Sequence, residues 1–345
     1  MANWEMIGHE WAVDYLRRSI EAGRAAHAYI ISGPEGIGKN LLALRFAQTL
    51  NCERGGPDPC LTCRHCKRIE HGTHPDVRVA GLQVQAAILG LKEEQAEKQK
   101  VLRVELIRSF QGDITLRPYE ARRRILILQD AEKLSEQASN ALLKTLEEPP
   151  PYATLILIAN SGGELLPTVT SRCQTLKLRP LPRQQVATAL MERKNLAEHD
   201  AKLLAAWSGG RLGWAMQMVD HPEELETRQE QLDTLIELPS KGCASAFRWA
   251  EECAKEYRAG QQQSVFATLE LWQSWWRDVL LTSANCREAV THIDRQDQLD
   301  AIARRAKLPE IHAFITRLSE AATYLRENVN PQLVFENVVL HMPSR

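Results

Sequence analysis

The sequence predicts an α/β domain built on a parallel sheet, followed by a long, purely helical part. Three observations predict it. A glycine loop, Gly33-Pro34-Glu35-Gly36-Ile37-Gly38-Lys39-Asn40, stands between an apolar run, Ala28 to Ile31, and a helical pattern, Leu41 to Leu50. Further unbroken apolar runs, Ile125 to Leu128 and Thr154 to Ala159, are interleaved with amphipathic stretches, as buried parallel strands are with their covering helices. Beyond Pro180 and Pro182, which mark a boundary, no strand-like alternation remains.

At 345 residues the chain exceeds one ordinary core, so two or three domains are expected. Charged residues are 25% and hydrophobic residues 44%, a soluble globular composition. A net charge of −1 announces no global field for nucleic acid, and only a local basic patch stays open. No run is long and apolar enough to span a bilayer, and Met1-Ala2-Asn3-Trp4-Glu5 lacks the basic start and apolar segment of a signal peptide. A cytoplasmic protein with no membrane partner is expected.

In chain order, Trp11 to Ala22 carries apolar residues at helical spacing and reads as a helix beside the sheet. The loop matches the phosphate-binding pattern G-x-x-x-x-G-K-[ST] everywhere except its last position. Gly33, Gly36 and Gly38 let backbone N–H groups turn toward phosphate oxygens, and Lys39 is placed for the outer phosphates. ATP or ADP with Mg²⁺ is the ligand of such a loop. Asn40 stands where a hydroxyl would meet the Mg²⁺, which weakens the metal half of that expectation.

Cys52-x7-Cys60-x2-Cys63-x2-Cys66 follows, holding four of the eight cysteines. Four thiolates in this compass suit a tetrahedral structural Zn²⁺. An iron–sulfur cluster is the competitor, but Lys67 to Glu70 lack the further Cys-Pro of the ferredoxin-type run. His65, His71 and His74 read as loop or partly buried histidines, because the cysteines already complete a site. Val77 to Ala80 reads as a short strand. Residues 83–100 end in a charge-rich run from Lys92, an exposed helix or an insertion whose structure stays open. Val101 to Asp113 is again amphipathic. Arg122-Arg123-Arg124 reads as a solubilising turn or a phosphate contact.

Gln129 and Asp130 end the strand 125–128, where a phosphate-loop NTPase carries an Asp for Mg²⁺ and often a Glu for the attacking water. A helix from Ser135 to Glu148, the strand Thr154 to Ala159 and a last strand Gln174 to Leu178 complete the sheet domain. Residues 183–219 suggest three short helices broken at Gly209-Gly210, and 223–342 are helical throughout. Trp272, Trp275 and Trp276 share one helical face, as core or, less simply, as a base-stacking platform.

Four features together resemble the bacterial clamp-loader subunits of the AAA+ class nearly end to end. They are Asn140-Ala141-Leu142-Leu143-Lys144-Thr145-Leu146-Glu147-Glu148-Pro149-Pro150, the four-cysteine insertion, Ser171-Arg172-Cys173, and the tail from Asn328 to Asn337. The resemblance implies a P-loop AAA+ domain over residues 1–180 with a zinc module at 52–66, an all-α lid at 181–222, and an all-α collar at 223–345. It also implies a Mg²⁺ hydroxyl at residue 40, an Asp–Glu pair at 129–130 and a lid arginine after Gly209-Gly210. The chain has Asn40, Gln129-Asp130 and Gly213 there, with Arg211 as a local substitute for the arginine.

Metal, water and arginine all serve phosphoryl transfer, so three departures in one device argue for weak or lost hydrolysis. Arg172 is intact. The resemblance therefore implies a subunit that organises a ring and lends Arg172 in trans to a neighbour. A working gamma/tau-like motor with an unusual Mg²⁺ site is the alternative. A small-molecule P-loop kinase is disfavoured by the helical C-terminal part. The implied partners are the gamma/tau motor and the delta subunit of the DNA polymerase III clamp loader, and through them the sliding clamp and primer–template DNA.

Overall fold

A computed structural model describes residues 4–90, 99, 101–160, 163 and 165–343. Most of the charge-rich run from Lys92 lies outside them. The chain divides into two compact units, Met1–Gln185 with Gly210–Trp214, and Val186–Gly209 with Ala215–Arg345. The stretch 181–222 is shared between them.

Strands β1 (Ala28–Ser32), β2 (Val77–Ala80), β3 (Arg124–Leu128), β4 (Ala153–Ala159) and β5 (Gln174–Lys177) form one sheet in the order β2-β3-β4-β1-β5. Every neighbouring pair is parallel. Side chains alternate across the sheet with a period of two. Tyr29, Ile31, Ile125, Ile127, Ile156 and Ile158 therefore share one face with Leu16 of α1 (Glu10–Glu21) and Leu42 and Phe46 of α2 (Lys39–Asn51). Two short helices, α3 (Arg64–Glu70) and α4 (Leu82–Ile88), follow α2 in the chain, on either side of β2. The other face joins Ile30, Leu126, Leu128, Leu155 and Leu157 to Leu106, Ile107 and Phe110 of α5 (Val104–Thr115) and to Leu142 and Leu146 of α6 (Glu136–Glu147). Each large aliphatic side chain buried this way contributes about 1.5–3 kcal/mol. The expected strands are all present, with ends moved by a residue. Helix α2 begins at Lys39 rather than Leu41, because Gly38 at φ 107° is its N-cap and the chain turns helical directly after it.

The loop before β3 is tied down by Asp76. Its buried carboxylate accepts the N–H groups of Tyr119 (2.7 Å), Glu120 (2.9 Å) and Ala121 (3.0 Å) and Nη1 of Arg124 (3.1 Å). Burial pushes the carboxyl up, but these donors more than reverse that and hold it below its usual value.

After a short helix α7 (Pro167–Thr170), residues 183–219 form α8 (Arg183–Lys194), α9 (Glu198–Trp207) and α10 (Leu212–Asp220). Then come α11 (Pro222–Glu237), α12 (Cys243–Arg258), α13 (Gln262–Ser283), α14 (Gln296–Ala303), α15 (Leu308–Arg326) and α16 (Pro331–Leu340). Trp272, Trp275 and Trp276 of α13 are buried in the core of this second unit. Trp272 and Trp276 each set an edge against Phe314 at 5.2 Å between ring centroids. Their faces are spent on this core and do not serve as a base-stacking platform. No described helix is long and apolar enough to cross a membrane.

Candidate functional site

The carboxyl ends of β1, β3 and β4 meet at one edge of the sheet. The glycine loop follows β1, Gln129 and Asp130 follow β3, and Asn160 follows β4. This is the edge at which open parallel sheets bind ligands. Gly33 and Gly36 lie at φ 151° and 73°. A Cβ at Gly33 would meet the Leu178 carbonyl oxygen at 2.8 Å, and one at Gly36 would meet the Trp214 nitrogen at 2.8 Å. Both positions thus need glycine for conformation and for room.

Lys39 is buried, and its ammonium is fully engaged by its own chain. Nζ donates to the carbonyls of Gly33 (2.5 Å) and Pro34 (3.0 Å) and to Oδ1 of Asn160 (2.8 Å). An ammonium has three protons, so these acceptors saturate it. Nδ2 of Asn160 in turn donates to Oε1 of Glu132 at 2.8 Å. Burial lowers the Lys39 pKa, opposed by Glu132, Glu35 and Asp130, and burial raises that of Glu132.

At the metal position, the two departures from the NTPase pattern touch each other. Nε2 of Gln129 donates to Oδ1 of Asn40 at 3.2 Å. Asp130, at φ 53°, instead accepts from Nζ of Lys133 at 3.3 Å. Mg²⁺ demands hard, near-octahedral oxygen ligands. A neutral amide pair that spends one of its oxygens internally does not fit it.

The segment after Gly209-Gly210 reaches the loop through its backbone. The N–H groups of Gly213 (2.7 Å) and Trp214 (3.3 Å) donate to the Gly36 carbonyl. A Cβ at Gly213 would meet that oxygen at 2.8 Å, so an arginine cannot occupy this position without moving the backbone. The Arg211 guanidinium lies over the Trp214 ring, 5.4 Å from its centroid.

The four cysteines converge. The Sγ atoms of Cys52, Cys60, Cys63 and Cys66 all lie within 4.8 Å of one another. The 3.9 Å between Cys60 and Cys66 is far beyond a disulfide and close to the edge of a ZnS₄ tetrahedron, about 3.8 Å for Zn–S bonds of about 2.3 Å. The N–H groups of Cys60, Cys63 and Cys66 point at the sulfurs of Cys52, Cys60 and Cys63, at 3.3–3.4 Å. Burial pushes the thiols of Cys52 and Cys66 up, whereas hydrogen bonds from Thr62 and Cys63 bring Cys60 down to about 6 against its burial. Sulfurs crowded this way repel as thiolates unless a cation sits among them. The set fits a metal ion.

Beside them, His65, His74 and Glu120 also come together. Nδ1 of His74 accepts from the Asp76 N–H at 3.0 Å, which leaves the proton on Nε2 to be donated to Nδ1 of His65 at 2.7 Å. Glu120 is engaged by Arg64 and Arg68. The two histidines thus satisfy each other, while Glu120 is spent on the arginines and stands 3.9 Å from Nε2 of His74.

Arg172 lies in the turn after α7, 37% exposed, and pairs with Glu147 through Nη2 to Oε1 at 2.8 Å. It lies outside the cluster around Lys39. Sequence reasoning missed Glu132, Trp214 and Glu147, and assigned no role to Asn160. Only Glu147 carried a signal, as part of the stretch 140–150.

A family model described as DNA polymerase III, delta subunit, matches residues 8–182, and one for the C-terminal part of a DNA polymerase III delta subunit matches residues 222–343. The DNA polymerase III subunit delta' of Bacillus subtilis is 29% identical over 325 residues, 94% of this chain and 93% of that protein. The subunit delta' of Pseudomonas aeruginosa is 40% identical over 154 residues, covering 44% of this chain and 43% of its own. The subunit tau of Escherichia coli is 31% identical over 223 residues, 63% of this chain but 32% of the longer tau.

Proposed function

The chain belongs to the DNA polymerase III delta-subunit family, and from that premise we propose that it is a delta-prime subunit of the clamp loader, helping to load the sliding clamp on primed DNA. It organises the ring and turns over little or no ATP itself. The Asn40–Gln129 hydrogen bond carries this reading: the Mg²⁺ position holds a neutral pair of amides bonded to each other, while Arg172 stays exposed on another surface. Residues 1–180 act as the AAA+ domain, 181–222 as the lid and 223–345 as the collar. Cys52, Cys60, Cys63 and Cys66 hold a structural Zn²⁺. The partners are the gamma/tau motor and delta subunits, and through them the clamp and primer–template DNA, in the cytoplasm.

Arg172 acts in trans. Its guanidinium meets the γ-phosphate held by a neighbouring motor subunit and stabilises the charge that spreads over it during transfer, an effect worth about 10³ to 10⁵ in rate where such arginines are supplied by another chain. The test is reconstitution with the gamma/tau and delta subunits. Arg172→Ala is expected to leave assembly intact and to lower ATP turnover and clamp loading with clamp and primed DNA present. Wild-type turnover by the mutant complex would end the trans role. Robust Mg²⁺-dependent turnover by the isolated chain, abolished by Lys39→Ala, would move the assignment to a motor subunit.

A further inference from the structure

Arg172 is folded back onto its own chain. Besides its contact with Glu147, its Nη1 donates to the Thr168 carbonyl at 2.9 Å and, more loosely, to Oγ of Ser171 at 3.4 Å. Glu147 is the last residue of α6, so the carbonyl end of that helix adds a negative dipole beside the cation. Both partners are open to solvent, 37% and 52% exposed.

We propose that Glu147 is a latch that holds Arg172 against its own subunit, so that the arginine reaches a neighbour's phosphate only after this ion pair opens. The proposal rests on the trans role of Arg172 and concerns its regulation. The carboxylate and a phosphate compete for the same guanidinium, and one N–H of Nη2 is already given to the carboxylate. Two anions drawn to one cation also repel each other, and a phosphate carries more charge than a carboxylate. A contact that merely pre-ordered the arginine for phosphate would need only a neutral acceptor, which the Thr168 carbonyl already supplies. The carboxylate does something else: it neutralises the guanidinium until a stronger anion arrives. An exposed pair is weak. The latch therefore restrains turnover by modest factors and yields when the neighbour's nucleotide is presented in a closed interface.

Glu147→Gln keeps the shape and removes the charge. In the clamp loader reconstituted with this chain's gamma/tau and delta partners, the substitution is expected to raise ATP turnover without DNA about two- to fivefold, the range an exposed pair can supply. The increase should vanish when Arg172→Ala is also present. In the isolated chain, ¹⁵N NMR of the Arg172 guanidinium should show faster rotation in Glu147→Gln than in the wild type. If Arg172→Ala lowers turnover but Glu147→Gln leaves it unchanged or lowers it, the latch is wrong and the trans arginine stands. Equal guanidinium mobility in both chains would also remove the latch. If Arg172→Ala changes nothing, the trans reading itself fails and takes the latch with it.

Discussion

Asn40 and Gln129 look like two separate losses in a linear sequence, but they form one contact, with the amide of one answering the oxygen of the other at 3.2 Å. The two residues are in direct contact, so their substitutions should be non-additive. The double variant Asn40→Thr with Gln129→Asp is expected to make ADP binding by the purified chain Mg²⁺-dependent, which a fluorescent-ADP titration with and without the metal checks. The wild type and each single variant should respond little to Mg²⁺. Asp76 carries a second residue-scale prediction. Asp76→Asn removes the charge and half of the acceptor capacity for three backbone N–H groups and Arg124, which should cost about 2–4 kcal/mol near neutral pH. Its folded pKa lies below the unfolded value near 3.8, so its stabilisation is full above that value and is lost as pH falls through the lowered folded pKa. Denaturant midpoints of the two proteins should therefore differ most near neutral pH and converge in strong acid.

Among the elements, the cysteine module gathers its four sulfurs from one short stretch of chain. Cys63 is the N-cap of α3, its sulfur accepting from the Cys66 N–H, so one residue is both a candidate metal ligand and the start of the helix. Gln48 of α2 donates to the Cys66 carbonyl at 2.9 Å and to Glu70 at 2.7 Å, which anchors the module to the phosphate-loop helix. Elemental analysis should find one zinc per chain and no iron. Removal of the metal with a strong chelator, or Cys63→Ser, should raise hydrogen exchange across residues 52–75 while the sheet keeps its protection. A visible iron–sulfur absorption band would reassign the metal.

Among the described residues the apolar core lies in separate clusters, one on each face of the sheet and one in the helical unit around α13. A change in the helical unit's core should therefore be felt in that unit first. Trp272→Ala removes a fully buried ring that sits against Trp249 and Phe314, and should cost about 3–5 kcal/mol. Thermal unfolding should move to lower temperature, and co-purification with clamp-loader partners should fall, if residues 223–345 are the collar. Undiminished assembly in a clearly destabilised variant would argue against that role.

The sequence by itself determined the fold class, the phosphate loop, the cysteine set and the helical character of the second half. Each is a local property: a period of two or 3.6, a glycine that adopts a left-handed turn at no steric cost, or four thiols within 52–66. What the loop does with its lysine was not legible. Lys39 bonds Asn160 across 121 positions, and Asn40 meets Gln129 across 89. Those pairs exist because the sheet sets β4 between β1 and β3, an order that no local pattern specifies. The same holds for Gly213, whose missing side chain reads as a lost arginine until the Gly36 carbonyl is seen where its Cβ would stand. Only the tertiary structure decided these contacts, because strand order and chain crossing bring distant residues together while sequence periodicity records only which way each side chain faces.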